Sequence, residues 1–148
     1  MGQKQEDFIR EFCRCFGDGS YDSRADVDRI LSMMADDVEW QLWVPGGPII
    51  KGKAAIREEL ERQKSFLRNN KCNIINITSS DTVVMTERKD DAMLYGRDAP
   101  HHMVAVFVLN DEGLIREWRE YLDMMDLTKK MGVDLDTAAE GRGNDSID

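Results

Sequence analysis

Two segments of this chain alternate in a way that only an extended strand can exploit, and each places charge on the face that should be buried. In Val83 to Asp90, period-two alternation puts Val84, Thr86, Arg88 and Asp90 on one side and Val83, Met85, Glu87 and Lys89 on the other. In Leu114 to Asp123, the same rule groups Leu114, Arg116, Trp118, Glu120 and Leu122 against Ile115, Glu117, Arg119, Tyr121 and Asp123. If Trp118 marks the interior, Glu120 is carried inward with it. The expectation is that Arg88, Asp90 and Glu120 converge in one pocket of a curved sheet. The plainer alternative is a surface ion pair between Arg88 and Asp90 with Glu120 at a sheet edge, since charged residues are seldom fully buried.

The rest of the chain supplies helices first and strands afterwards. Phe8, Ile9, Phe12, Cys15 and Phe16 form a helical stripe over Gln3 to Phe16, stopped by Gly17 and Gly19. Val27, Ile30, Leu31 and Met34 predict a second helix, from a Ser23 cap to Met34. Val38 to Val44 reads as a strand with Trp40 and Leu42 facing inward, and Pro45-Gly46-Gly47-Pro48 breaks it. Ile56, Leu60, Gln63 and Leu67 predict a third helix from Lys53 to about Asn69.

Strands then follow at Cys72 to Thr78, Thr82 to Asp90, His101 to Leu109 and Leu114 to Asp123, with a short helix at Asp126 to Met131. Helices followed by strands imply an α+β domain, in which three helices pack on one face of an antiparallel sheet. The domain is expected to span residues 1–135. The tail from Asp136 is polar, contains glycine, and is expected to be disordered.

Composition narrows the function. At 148 residues, one domain can bury roughly 70% of the surface its unfolded chain exposes. A net charge of −9, with basic residues scattered among acids, argues against a nucleic-acid partner. No apolar run approaches the length of a signal peptide or a membrane span. The three cysteines lack framework spacing, which fits free thiols in a reducing cytoplasm. His101 and His102 are consecutive and face opposite ways on a strand, so no metal site is expected. Which histidine faces the pocket is not decided by pattern, because both faces of that strand are apolar.

The order of elements resembles the cone-shaped α+β fold of nuclear transport factor 2 and its enzymatic relatives. Within that superfamily, Thr86-Glu87-Arg88-Lys89-Asp90 and Trp118-Arg119-Glu120-Tyr121-Leu122-Asp123 are similar to the signature segments of limonene-1,2-epoxide hydrolase. That resemblance implies a pocket with two carboxylates bridged by an arginine, one activating water and the other protonating an epoxide oxygen. By motif position Arg88 is the bridge, Asp90 the acid and Glu120 the base. Trp40, Leu42, Thr86, His102, Trp118 and Leu122 are the candidate pocket residues.

Two departures stand out. Glu120 occupies a position that is normally aspartate, and its added methylene moves the carboxylate by about 1 Å, a displacement that can cost ~100-fold in rate. The family's water-orienting tyrosine and asparagine correspond to Trp40 and Leu42, so another group, such as His102 or a backbone carbonyl, would have to hold the water.

The resemblance implies no cofactor, a small apolar substrate, and a homodimer formed through the outer sheet face. Three functions remain open at this point. They are an epoxide hydrolase, a polyketide cyclase or ketosteroid isomerase-like enzyme using one carboxylate as a proton shuttle, and a noncatalytic small-ligand-binding domain.

Overall fold

Alternation and helical stripes are resolved into elements in a computed structural model that describes residues 2–139. The helix α1 (Gln3–Arg14) buries Ile9, Phe12 and Cys13, while α2 (Val27–Ser32) buries Val27, Ile30 and Leu31. The strands β1 (Met34–Val44) and β2 (Ile49–Lys51) lead into α3 (Lys53–Gln63). A long antiparallel run follows: β3 (Leu67–Ser80), β4 (Val83–Leu94), the short β5 (Arg97–Asp98), β6 (His101–Leu109) and β7 (Ile115–Tyr121). Two further helices, α4 (Met124–Met131) and α5 (Leu135–Ala138), close the described chain.

The strand order is β2-β1-β7-β6-β4-β3, with β5 beside β4. Every pairing is antiparallel except β1 with β7, so the sheet is mixed rather than wholly antiparallel. No hairpin joins β1 to β7; a helix and five strands intervene, and a long crossover leaves the direction of pairing free. The parallel register sets Trp40 opposite Trp118, and their indoles stack at 4.1 Å with an interplanar angle of 1°.

Several boundaries differ from expectation for local reasons. Asp26, not Ser23, caps α2 by accepting from the Arg29 N–H at 3.3 Å, and Met34 already belongs to β1. Asp36 and Asp37, which look like punctuation, sit within β1 on an irregular stretch between Met34 and Glu39 and face solvent. The third helix stops at Gln63, and Asn69-Asn70 lies inside β3 at a bulge, with Asn69 at a φ of 59°. A bulge between Val108 and Leu109 admits an extra residue in β7, so Ile115 is buried where alternation would have turned it outward. A similar shift buries Trp43 and half-exposes Val44. Asp134 caps the short α5, accepting from Thr137 N–H at 2.8 Å, and residues 140–148 of the expected tail lie outside the described residues.

The main core lies between the concave sheet face and the first three helices. Phe12 of α1 meets Trp118 at 5.2 Å and Phe107 at 5.6 Å, both edge-on. A smaller cluster of Ala92, Leu94, Ala99, Leu127 and Met131 fills the other end, where α4 packs. Between the two clusters a cavity remains.

Candidate active site

The inner face of the sheet is a grid whose rows run across the strands. Cys72, Asp90 and His101 form one row, Ile74, Arg88 and Met103 the next, then Ile77, Thr86, Ala105 and Glu120, and finally Val84, Phe107, Trp118 and Trp40. Alternation along β4 brings Arg88 and Asp90 to the same side, as expected from sequence. Glu120 is not on a neighbouring strand, because β6 lies between β4 and β7. Two strand spacings are about 9.6 Å, a gap that a side chain as long as arginine can cross. On the intervening strand Met103 stands opposite Arg88, and the fully buried, small Ala105 stands opposite Glu120.

The resulting contacts are short. Arg88 Nε and Nη2 donate to the two oxygens of Asp90 at 3.1 and 2.8 Å, and Nη2 also donates to Glu120 Oε2 at 3.2 Å. Nη2 also lies 2.7 Å from Met103 Sδ. Arg88, Asp90 and Glu120 are only 4%, 3% and 9% exposed, which excludes the surface ion-pair alternative. Buried charges persist when they are paired and hydrogen-bonded, and these are.

Electrostatics separate the three groups from ordinary surface residues. Burial pushes the Glu120 carboxyl up to about 7; the Asp90 charge adds to this, while Arg88 and the Trp118 indole oppose it. Burial disfavours the charged Arg88 guanidinium, but the charges of Cys72, Asp90, Cys13 and Glu120 around it outweigh that effect and hold its pKa above the usual arginine range. The Trp118 Nε1–H favours ionised Glu120 by proximity, although neither it nor Trp40 Nε1 completes a hydrogen bond of good geometry.

The cavity has a volume of about 150 Å³ and is a recess rather than a sealed void. Asp90, Arg88 and Glu120 contribute its polar wall, and Trp40, Leu42, Trp118 and Leu122 line it as expected from sequence. Two expectations are corrected. Thr86 is fully buried but does not line the cavity, although Glu120, two strands away in the same row, does. His102 points outward and is exposed opposite Lys89, whereas His101, of the other parity, lines the cavity and places Nδ1 2.8 Å from the Ala99 carbonyl oxygen. Asp90 is paired with His101, and partners across a strand share a face, so the inward parity of Asp90 decides which histidine is inside.

Sequence reasoning missed Asn70, Cys13 and Cys72 on the cavity wall. Helical periodicity places Asn70 just past the expected end of the third helix, near Asn69. It is instead held inward at the β3 bulge, where its carbonyl accepts from Gly19 N–H at 3.0 Å and its Nδ2 donates to the Phe16 carbonyl at 3.4 Å. Gly17 makes this fit possible, because a Cβ there would stand 2.5 Å from the Asn70 carbonyl oxygen. Among the described residues none donates a hydrogen bond to the Asn70 Oδ1. Among the described residues no cluster of three His, Cys, Asp or Glu side chains could hold a metal ion, and no helix is long and apolar enough to cross a membrane.

The same architecture recurs in solved structures of low sequence identity. An LEH-like epoxide hydrolase from M. tuberculosis is 22% identical with a TM-score of 0.70, over 86% of this chain and 89% of that one. A phenazine biosynthesis-related protein from Pseudomonas aeruginosa is 15% identical with a TM-score of 0.73, over 89% and 83%. A hypothetical protein with a ketosteroid isomerase-like fold from Catenulispora acidiphila, in complex with trimethylamine, is 13% identical with a TM-score of 0.72, over 87% and 95%. These similarities establish the cone-type α+β fold. A comparison with curated protein sequences gives no match. Residues 12–132 match the limonene-1,2-epoxide hydrolase catalytic domain, and the chain belongs to that family.

Proposed function

We propose that this protein adds water to a small apolar epoxide without a cofactor. The observation that carries the proposal is the Arg88 guanidinium, hydrogen-bonded to both Asp90 (2.8 Å) and Glu120 (3.2 Å) at the wall of an apolar cavity. Glu120 is the base: its carboxylate takes a proton from water as the water oxygen attacks an epoxide carbon. The carbon–oxygen bond breaks, and the departing oxygen takes a proton from Asp90, leaving a vicinal diol. The step leaves Glu120 protonated, the form that burial favours, and Asp90 ionised against Arg88; release of the Glu120 proton to solvent and uptake of one by Asp90 restore the starting state. A base with a pKa near the working pH balances basicity against availability. Arg88 hydrogen-bonds both carboxyls and keeps them in register.

Leu42 cannot orient the water, and Asn70 supports a different arrangement. Asn70 reaches the cavity wall from β3 rather than β1, and its Oδ1 is an acceptor to which no described residue donates. We assign Asn70 the role of positioning the water for Glu120. A cavity of about 150 Å³ suits a substrate near the size of a single six-membered ring. Exposed Met85, Val104 and Tyr121 cluster on the outer sheet face and support assembly as a homodimer through that face. The three free cysteines support residence in the cytoplasm.

The test is hydrolysis of a panel of monocyclic epoxides in ¹⁸O-labelled water. One labelled oxygen should appear in each diol, and Glu120→Gln and Asp90→Asn should each abolish it. Full turnover by both variants would overturn the proposal. One observation favours a second reading: a single buried carboxyl near 7 also suits a proton shuttle of the isomerase or cyclase kind. Exchange of a substrate α-proton with solvent, without ¹⁸O incorporation, would select that reading.

A further inference from the structure

His101, Gln63 and Asn70 on the cavity wall each carry both a hydrogen-bond donor and an acceptor, and each has its donor tied back to the protein. His101 Nδ1 lies 2.8 Å from the Ala99 carbonyl oxygen, which can only accept, so Nδ1 bears the proton and Nε2 of the neutral ring is an acceptor. Gln63 Nε2 donates at 2.8 Å to Oε2 of Glu59, a carboxylate also paired with Arg62 at 3.0 Å, so Oε1 is the end of the amide left unengaged. Asn70 Nδ2 donates to the Phe16 carbonyl at 3.4 Å, which orients its amide and leaves Oδ1 as the acceptor. Among the described residues none donates to any of these three atoms. Three orientations, each forced by a partner that only accepts, give one result: the polar part of the wall is matched to hydrogen-bond donors on the ligand.

We infer that the substrate is a hydroxylated epoxide, a single ring with its hydroxyl on the carbon next to the oxirane, whose O–H donates to His101 Nε2. The inference rests on the hydrolase reading and narrows its substrate class. His101 is chosen by position. It pairs with Asp90 across β4 and β6, and such partners stand about 4.5–5.5 Å apart at Cβ. An epoxide oxygen placed at Asp90 therefore brings an adjacent hydroxyl beside the imidazole. Asn70 keeps its acceptor for the attacking water, so the two roles do not compete.

The rest of the cavity fits a hydroxyl better than other donors. A hydroxyl supplies one donor with no charge to desolvate, whereas an ammonium group would have to shed its hydration to enter. The volume of about 150 Å³ leaves room for little beyond one ring and its hydroxyl. Trp40, Leu42, Leu94 and Trp118 give the ring carbons an apolar wall, so the hydroxyl and the epoxide oxygen are the groups that fix orientation.

The experiment compares 2,3-epoxycyclohexanol with its methyl ether, which keeps the ring and the oxygen but lacks the donor, at pH 8, above the ordinary titration range of imidazole. Wild-type kcat/KM should be about ten-fold higher for the alcohol. His101→Phe should bring that ratio to about one. The ratio is read within one variant and does not depend on how much activity survives in it. Equal kcat/KM in the wild type, or a ratio that persists in His101→Phe, would overturn the inference and leave the hydrolase reading standing. Turnover of neither compound by the wild type counts against the hydrolase reading instead, and a binding arm then decides the inference. Cyclohexanol should raise the melting temperature of the wild-type protein more than cyclohexyl methyl ether or cyclohexylamine does. Equal shifts, or a larger one from the ether or the amine, would overturn it.

Discussion

Arg88 and Glu120 lie two strands apart, and the guanidinium reaches the carboxylate at 3.2 Å across β6, where Met103 stands opposite Arg88 and Ala105 opposite Glu120. That crossing makes Ala105 a steric gate for the site. Ala105→Leu should obstruct the Arg88–Glu120 contact. Overpacking costs about 1–3 kcal/mol of stability, and a 1 Å displacement of the base lowers kcat by ~100-fold. Steady-state kinetics beside urea denaturation would check both. Retention of wild-type kcat would show that the bridge is not needed.

Arg88 also neutralises two buried carboxyls at once. Arg88→Met removes their partner and should destabilise the fold by about 3–5 kcal/mol. Asp90→Asn combined with Arg88→Met should recover part of that loss, because one buried negative charge disappears with the cation. Denaturant melts of the single and double variants, compared as a cycle, would test this coupling.

Glu120 links stability to pH in a defined direction. Its pKa rises from an ordinary 4.5 to about 7 on folding, so the folded state holds a proton that the unfolded state releases between those values. Stability should therefore fall as pH rises from about 4.5 to about 7, and this contribution should level off above that. The full effect is on the order of 3 kcal/mol. Glu120→Gln should flatten that slope, as read by melting temperature at a series of pH values. Over the same window, activity should climb as Glu120 ionises, giving an acid limb with an apparent pKa near 7.

Asn70 should affect rate more than binding. Asn70→Ala should lower kcat by ~10-fold to 100-fold with KM little changed, because only the geometry of water is lost. The acid limb of the pH profile should stay in place, since the base is untouched. Loss of its hydrogen bond to Phe16 would cost about 1 kcal/mol, which a parallel melt would report.

The outer face offers a separate test. Val104→Glu places a charge in the exposed patch with Met85 and Tyr121, and should convert a dimer to a monomer in analytical ultracentrifugation. A wild-type protein that sediments as a monomer would remove the dimer proposal.

Much of the site was legible because a strand has a period of two. Arg88 and Asp90 share a face whatever the rest of the chain does, and Trp118 and Glu120 do likewise. Helical stripes identified α1 and the start of α3 in the same way, since each records a local preference. The motif resemblance then joined the two strands into one proposed site.

What alternation could not reveal were insertions and pairings. Bulges at Asn70 and at the start of β7 shift the count by one residue, and a one-residue shift exchanges inside for outside. The choice of His101 over His102 depended on strand register against Asp90, and the presence of Cys13 and Cys72 on one cavity wall on the docking of a helix against a strand far along the chain. Sequence alone settled which neighbouring side chains on a strand look the same way, because that is a property of a few successive backbone units. Only the tertiary structure decided which faces look at each other and how large a space they leave, because register and packing depend on contacts between residues far apart along the chain.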